Sequence, residues 1–176
     1  VAEQLTAVWN GFKVAATDTE EYVDKLAAVG AATASDLEEL SSGMAKVASG
    51  AASMGVNIDQ LTASLATIVS TTRQDASSVG TALKTIYSRI ADIKAGADDA
   101  ETTLGNYSSK MAELGFNVLD SEGKMRDLGV VMEEIGNNWK NLSREQQIYL
   151  AQTMAGTRQY KNLIALFENW EEYQSE

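Results

Sequence analysis

The chain has 176 residues, 44% hydrophobic and 22% charged, carries a formal net charge of −11, and contains no cysteine, histidine or proline. That balance is globular rather than disordered, and the length suits one domain with a real core. Without Cys and His there is no disulfide framework, no thiol or imidazole nucleophile system and no ligand set for the usual zinc, iron or copper sites. Carboxylate, Lys or Tyr catalysis is what stays open. The acidic surplus argues against a nucleic-acid clamp, whose affinity comes from neutralising phosphates, and suits a self-repelling surface. No segment reaches the roughly 18 apolar residues of a membrane span, and no signal-peptide pattern opens the chain. Because residue 1 is Val rather than Met, the chain is expected to be a piece of a longer polypeptide.

Apolar spacing is helical nearly throughout. The stripes, in chain order, begin with Leu5/Val8/Trp9/Phe12, Tyr22/Val23/Leu26 and Leu37/Leu40/Met44/Val47. Leu61/Leu65/Ile68 follows, then the long run Val79/Ala82/Leu83/Ile86/Ile90/Ile93. Leu128/Val131/Met132/Ile135/Trp139 and Tyr160/Leu163/Ile164/Phe167/Trp170 complete the set. Capping signals precede several of them: Thr17, Ser35, Asn57 and Ser143 each stand three positions before Glu or Gln, the pattern of a capping box. Gly30, Gly55, Gly96, Gly115 and Gly156 lie where helices should stop. An all-α fold of seven or eight helices of roughly 10–18 residues is therefore expected, as a single helical domain over 1–176 whose residues 1–30 pack more loosely.

One stretch departs from this period. Gly115 to Gly129 alternates apolar and polar residues around Asp120-Ser121-Glu122-Gly123, which predicts a small β-hairpin near residues 116–126. Asp120, Glu122 and Gly123 are calcium-loop residue types, but the ligand spacing and closing Glu are missing, so turn chemistry is the default.

The tripeptide Thr-Arg-Gln occurs twice, at 72–74 within Thr71-Thr72-Arg73-Gln74 and at Thr157-Arg158-Gln159. Each copy falls between helices. A Thr there can cap the incoming helix. An Arg in a first turn opposes that helix's dipole, so its guanidinium is expected to fold back onto carbonyls of the preceding helix or to pair with a carboxylate. The rival reading, two phosphate-binding arginines, sits badly in acidic surroundings. Adjacent acidic pairs (Glu20-Glu21, Glu38-Glu39, Asp98-Asp99, Glu133-Glu134 and Glu171-Glu172) point about 100° apart on a helix and cannot make a two-carboxylate site alone. They read as a solvated face. Trp9, Trp139 and Trp170 sit on apolar stripes and read as core anchors.

The stretches "LTAVWNGFK", "AAVGAATASDLEELSSGMAKVAS", "ASLATIVSTTRQDASSVGTALKTIYSRI" and "LSREQQIYLAQTMAGTRQYKNLIALFENW" resemble the core region of phage tail tape-measure proteins, the tail-length determinators of long-tailed phages and prophages. The resemblance spans nearly the whole chain, including "LGFNVLDSEGKMRDL". It implies a structural virion protein in the lumen of the tail, made in the bacterial host cytoplasm and acting in tail assembly, length determination and passage of DNA at infection. The partners it implies are further copies of itself side by side, the tail tube protein, tail assembly chaperones and tail tip proteins. It supplies no catalytic, cofactor-binding or metal residue, and none is assigned; the chain is expected not to be an enzyme, to need no cofactor and not to bind nucleic acid tightly.

A continuous helix of this length would span about 260 Å, whereas a compact domain would have a radius of gyration near 16 Å. Thirteen glycines and repeated caps favour a folded module over a measuring rod. Two alternatives stay open: a partner-docking module with an apolar groove for a tail chaperone or tail tip, and a carboxylate-based cell-wall glycan hydrolase, which needs two carboxyls converging in a cleft.

Overall fold

The computed structural model describes residues 2–13, 18–32 and 37–175, and in them the apolar stripes become the inward faces of helices. These are α1 (Ala2–Phe12), α2 (Thr19–Ala32), α3 (Leu37–Ser53), α4 (Ile58–Thr72), α5 (Ala76–Ala95), α6 (Leu104–Glu113), α7 (Leu128–Asn138), α8 (Arg144–Glu168) and α9 (Trp170–Ser175), with a 3-10 turn at Trp139–Asn141. Nine helices among the described residues exceed the expected seven or eight. The surplus lies in α6, which buries only Tyr107 and Met111, and α9, which buries only Trp170 and Tyr173. Two apolar positions make too short a stripe to register as a period.

Helix α3 and helix α5 form the central pair; α1 covers α3 on one side, α8 covers α5 on the other, and α4 lies against α3, α5, α8 and α9. Glycine sets the α3–α5 approach. A methyl group at Gly80 would stand 2.5 Å from the Gly43 carbonyl oxygen and 2.9 Å from its Cα, and one at Gly43 would stand 2.5 Å from the Ala76 carbonyl oxygen. Two backbones that close leave no room for any side chain, and close-packed interiors do not yield cheaply. The six apolar positions of the α5 stripe are all buried. One continuous core runs from Leu5 and Val8 to Trp170 and Tyr173. Within the first helices Leu26 and Val29 join that core, while Trp9, Phe12, Tyr22 and Val23 are partly buried against it. Trp9 is thus half-buried, its ring tilted at 39° to that of Tyr22 with centroids 6.0 Å apart, rather than a core anchor.

Helix ends follow the expected chemistry in part. Asn57 and Ser143 each close a full capping box with Gln60 and Gln146; Thr17 and Ser35 lie outside the described residues. Asp75 and Thr103 also cap, accepting from Ser78 N and Asn106 N. Gly55, Gly96 and Gly115 follow the ends of α3, α5 and α6. Gly30 does not end a helix: it is buried inside α2, where packing outweighs its low helix propensity.

The expected β-hairpin at 116–126 is not formed. Pairing stops at one antiparallel bridge between Leu119 and Met125, and no strand occurs among the described residues. The reason is competition for backbone groups. Asp120 Oδ1 takes the Glu122 and Lys124 amides at 2.9 Å each, and the Arg126 guanidinium takes the Asn117 carbonyl at 2.8 Å. Leu128 and Gly129 then donate to Met54 and Gly55 carbonyls at 2.8 and 3.2 Å, tying the segment to the end of α3 instead of lengthening a ladder. No described helix is long and apolar enough to cross a membrane.

Candidate functional site

Helix α8 breaks at Gly156, whose φ of 78° and ψ of 174° are non-helical. That region of backbone space is essentially open to glycine alone. The break reverses the chain. A straight helix would place Arg144 and Glu168 about 36 Å apart, yet their side chains form an ion pair, so the arm 157–168 folds back along the arm 144–155. Helix α9 continues the returning arm. Together they bury Leu163, Ile164, Leu166, Phe167, Trp170 and Tyr173.

The returning arm lies on α7 and the 3-10 turn through an aromatic seam. Trp139 and Phe167 have ring centroids 5.1 Å apart, Phe167 and Trp170 5.9 Å, and Trp170 stacks on Tyr173 at 3.9 Å and 11°. Gly136 gives the Trp170 ring its place, since a Cβ there would collide with the indole. Polar atoms at the seam are paired except for the buried Trp139 Nε1, which finds no hydrogen-bond partner among the described residues. Trp170 Nε1 donates to Asn137 Oδ1 at 2.9 Å, and Gln60 Nε2 and the Tyr173 hydroxyl donate to Glu133 Oε1 at 2.9 and 3.4 Å. Beside the seam lies a cleft of about 760 Å³ whose walls include Asn137, Trp139, Lys140, Gln147, Phe167 and Trp170.

Both copies of Thr-Arg-Gln are joints, and the structure brings their glutamines together. Gln74 Nε2 donates to Asn162 Oδ1 at 2.7 Å, and Asn162 Nδ2 donates to Gln159 Oε1 at 2.9 Å. The roles expected for the other residues differ. Thr71 and Thr72 do not cap α5; their hydroxyls donate back to the Thr67 and Ile68 carbonyls at 2.7 and 2.6 Å, and Asp75 caps instead. Arg73 occupies the left-handed position that closes α4, with φ of 60°, and Arg73 and Arg158 make no ion pair among the described residues. The guanidinium that does reach a helix-end carbonyl belongs to Arg89, which donates to Thr153 O at 3.2 Å beside the Gly156 break and pairs with Glu101. Spacing alone could not single it out, since it lies in α5 off the apolar stripe.

The acidic pairs diverge as their helical geometry requires. Glu133 faces Gln60 and Tyr173, while Glu134 forms a two-pronged pair with Arg126 at 3.0 and 2.6 Å. That pairing holds the Glu134 carboxyl below the usual carboxylate range, and the amide and hydroxyl of Ser78 do the same for Asp75. A general acid needs the opposite direction. No group of three carboxylates suited to a metal ion occurs among the described residues, and Asp120 serves its own turn. The buried phenols of Tyr87 and Tyr107 are pushed upward by desolvation, which keeps them neutral. Among the described residues, the large apolar side chains left exposed are Val130 on α7 and Tyr149 on α8.

A protein-family model described as phage-related minor tail protein matches residues 1–156 of this chain. The match ends at the residue where α8 breaks. No curated protein and no solved structure matches the chain.

Proposed function

The chain belongs to the phage-related minor tail protein family, and from that premise we propose that it is a folded segment of a tape-measure chain, held in the lumen of the tail and contributing to tail assembly and length determination. The observation that carries this reading is the family match over 1–156 joined to a helical body whose arms interlock through small-residue crossings and an aromatic seam. Such a body works by shape and contact. Its partners on this reading are further copies of the parent polypeptide, the tail tube protein, tail assembly chaperones and tail tip proteins. The net charge of −11 supports passage of DNA along the segment without adhesion; tight duplex binding at physiological salt would contradict that part. The segment makes and breaks no bonds on this reading, and clearing of a cell-wall suspension by the purified chain would contradict it.

In-frame duplication of residues 1–176 in the parent gene tests the whole. A folded module predicts tails longer by tens of ångströms at most, measured by electron microscopy, whereas a rod would add about 260 Å. Tails of unchanged length in particles lacking the parent polypeptide would remove the tape-measure reading altogether.

A further inference from the structure

We propose that the arm 157–175 is exchangeable: by straightening at Gly156 it can leave its own body and seat on a second copy of this chain, giving a swapped dimer. The connection between the two arms of α8 is one residue long. Residues on both sides of Gly156 are helical, and only Gly156 departs from helical backbone. Rotating that single residue into the helical region turns α8 into an uninterrupted helix over Arg144–Glu168, about 37 Å long, with no loop to rearrange.

The straightened arm would carry an unsatisfied apolar face comprising Leu163, Ile164, Leu166, Phe167, Trp170 and Tyr173, all buried in the closed form. The body would expose the complementary seat around Gly136 and Trp139. The occupant that fits this seat is the same arm from another copy, because every contact can be remade between chains. Gln74 with Asn162, Asn137 with Trp170, Ser70 with Glu172 and Arg144 with Glu168 would all form again across the pair. Exchange of an identical element is a low-cost route to a dimer when the hinge is short. The balance rests on Gly156 itself. Its closed conformation is one that other residues avoid, while in a helix any residue with a Cβ other than Pro is favoured over glycine.

Gly156→Ala tests this, read by size-exclusion chromatography with light scattering on the 176-residue chain. The expected result is a shift from monomer toward dimer at equal helical content. Because the chain has no cysteine, single cysteines report the exchange directly. Gly156→Ala/Arg144→Cys and Gly156→Ala/Glu168→Cys chains are unfolded together, refolded as a mixture and treated with a flexible bis-maleimide whose reach matches an extended Arg–Glu side-chain pair. A swapped dimer places position 144 of one chain opposite position 168 of the other, so a cross-linked heterodimer should exceed each homodimer several-fold. A folded Gly156→Ala monomer would overturn the proposal, as would a dimer without that heterodimer excess. If Gly156→Ala does not fold, the same two cysteines in the native Gly156 background, refolded together at high concentration, decide it: heterodimer excess supports exchange, and its absence overturns it.

Discussion

The two halves of the molecule hold their helices together by opposite means. Where α3 crosses α5, contact is made by removing side chains, with Gly43 and Gly80 letting backbone meet backbone. Where the returning arm meets α7, contact is made by large rings, with Trp139, Phe167, Trp170 and Tyr173 interleaved and the Trp170 indole N–H and Tyr173 hydroxyl hydrogen-bonded. The first region cannot accept atoms and the second cannot lose them. Substitutions should therefore fail in opposite directions in the two places.

The largest expected effect is in the aromatic region. Trp170→Ala removes a ring that is 7% exposed and stacked at 3.9 Å on Tyr173, and should cost about 3–5 kcal/mol in urea unfolding. A loss under about 1 kcal/mol would mean the seam is not a packed interface. In the glycine region, Gly80→Ala should cost about 1–3 kcal/mol or more, because the added methyl meets backbone that no rotamer change can move. Gly50 sharpens the contrast: it lies in α3 with nothing within 4 Å of a built Cβ, so Gly50→Ala should stabilise by about 0.5–1 kcal/mol. The same substitution thus changes sign between two glycines.

That sign change also marks the limit of what the sequence discloses. The stripe from Val79 to Ile93 reads directly as a buried face, because a period of 3.6 is local information. Asn57 and Ser143 read as caps because Gln stands three places on, whereas Asp75 and Thr103 are followed there by Ser78 and Asn106 and give no such signal. Gly156 reads in the sequence as a stop just past a helical run, and α8 does break there, but Gly50 and Gly80 look alike along the chain; what separates solvent from crossing is the element each one faces. The 115–129 segment misleads for a related reason. Its alternation is real, with Phe116 and Val118 buried, but alternation specifies a strand only when a partner ladder is free, and here side chains and the end of α3 take the backbone groups. As for the seam, each ring reads as apolar, but the meeting of Trp139 with Phe167 depends on a reversal at Gly156 whose sharpness spacing cannot convey.

Smaller effects refine the comparison at the helix starts. Asn57→Ala and Ser143→Ala should each cost about 1 kcal/mol by thermal or urea unfolding. Asn57 opens α4, which touches both regions, and Ser143 opens α8. Equal losses would show that caps act locally, independent of which packing mode the helix joins. The smallest effect is the pH response of Glu134. Its folded carboxyl is held below the ordinary value of 4.5 by Arg126, so the pair contributes above that value and the contribution disappears as pH falls through the lower folded value. The side chain is 40% exposed, so less than about 1 kcal/mol is at stake. Glu134→Gln should flatten the acid limb of the stability curve, and an unchanged limb would remove the pair from the account.

Small-angle X-ray scattering on the 176-residue chain asks directly whether the helices fold back on one another. The account predicts a compact profile with a radius of gyration near 16 Å for a monomer. A rod-like profile, with a radius of gyration approaching the roughly 75 Å of a 260 Å helix, would contradict it.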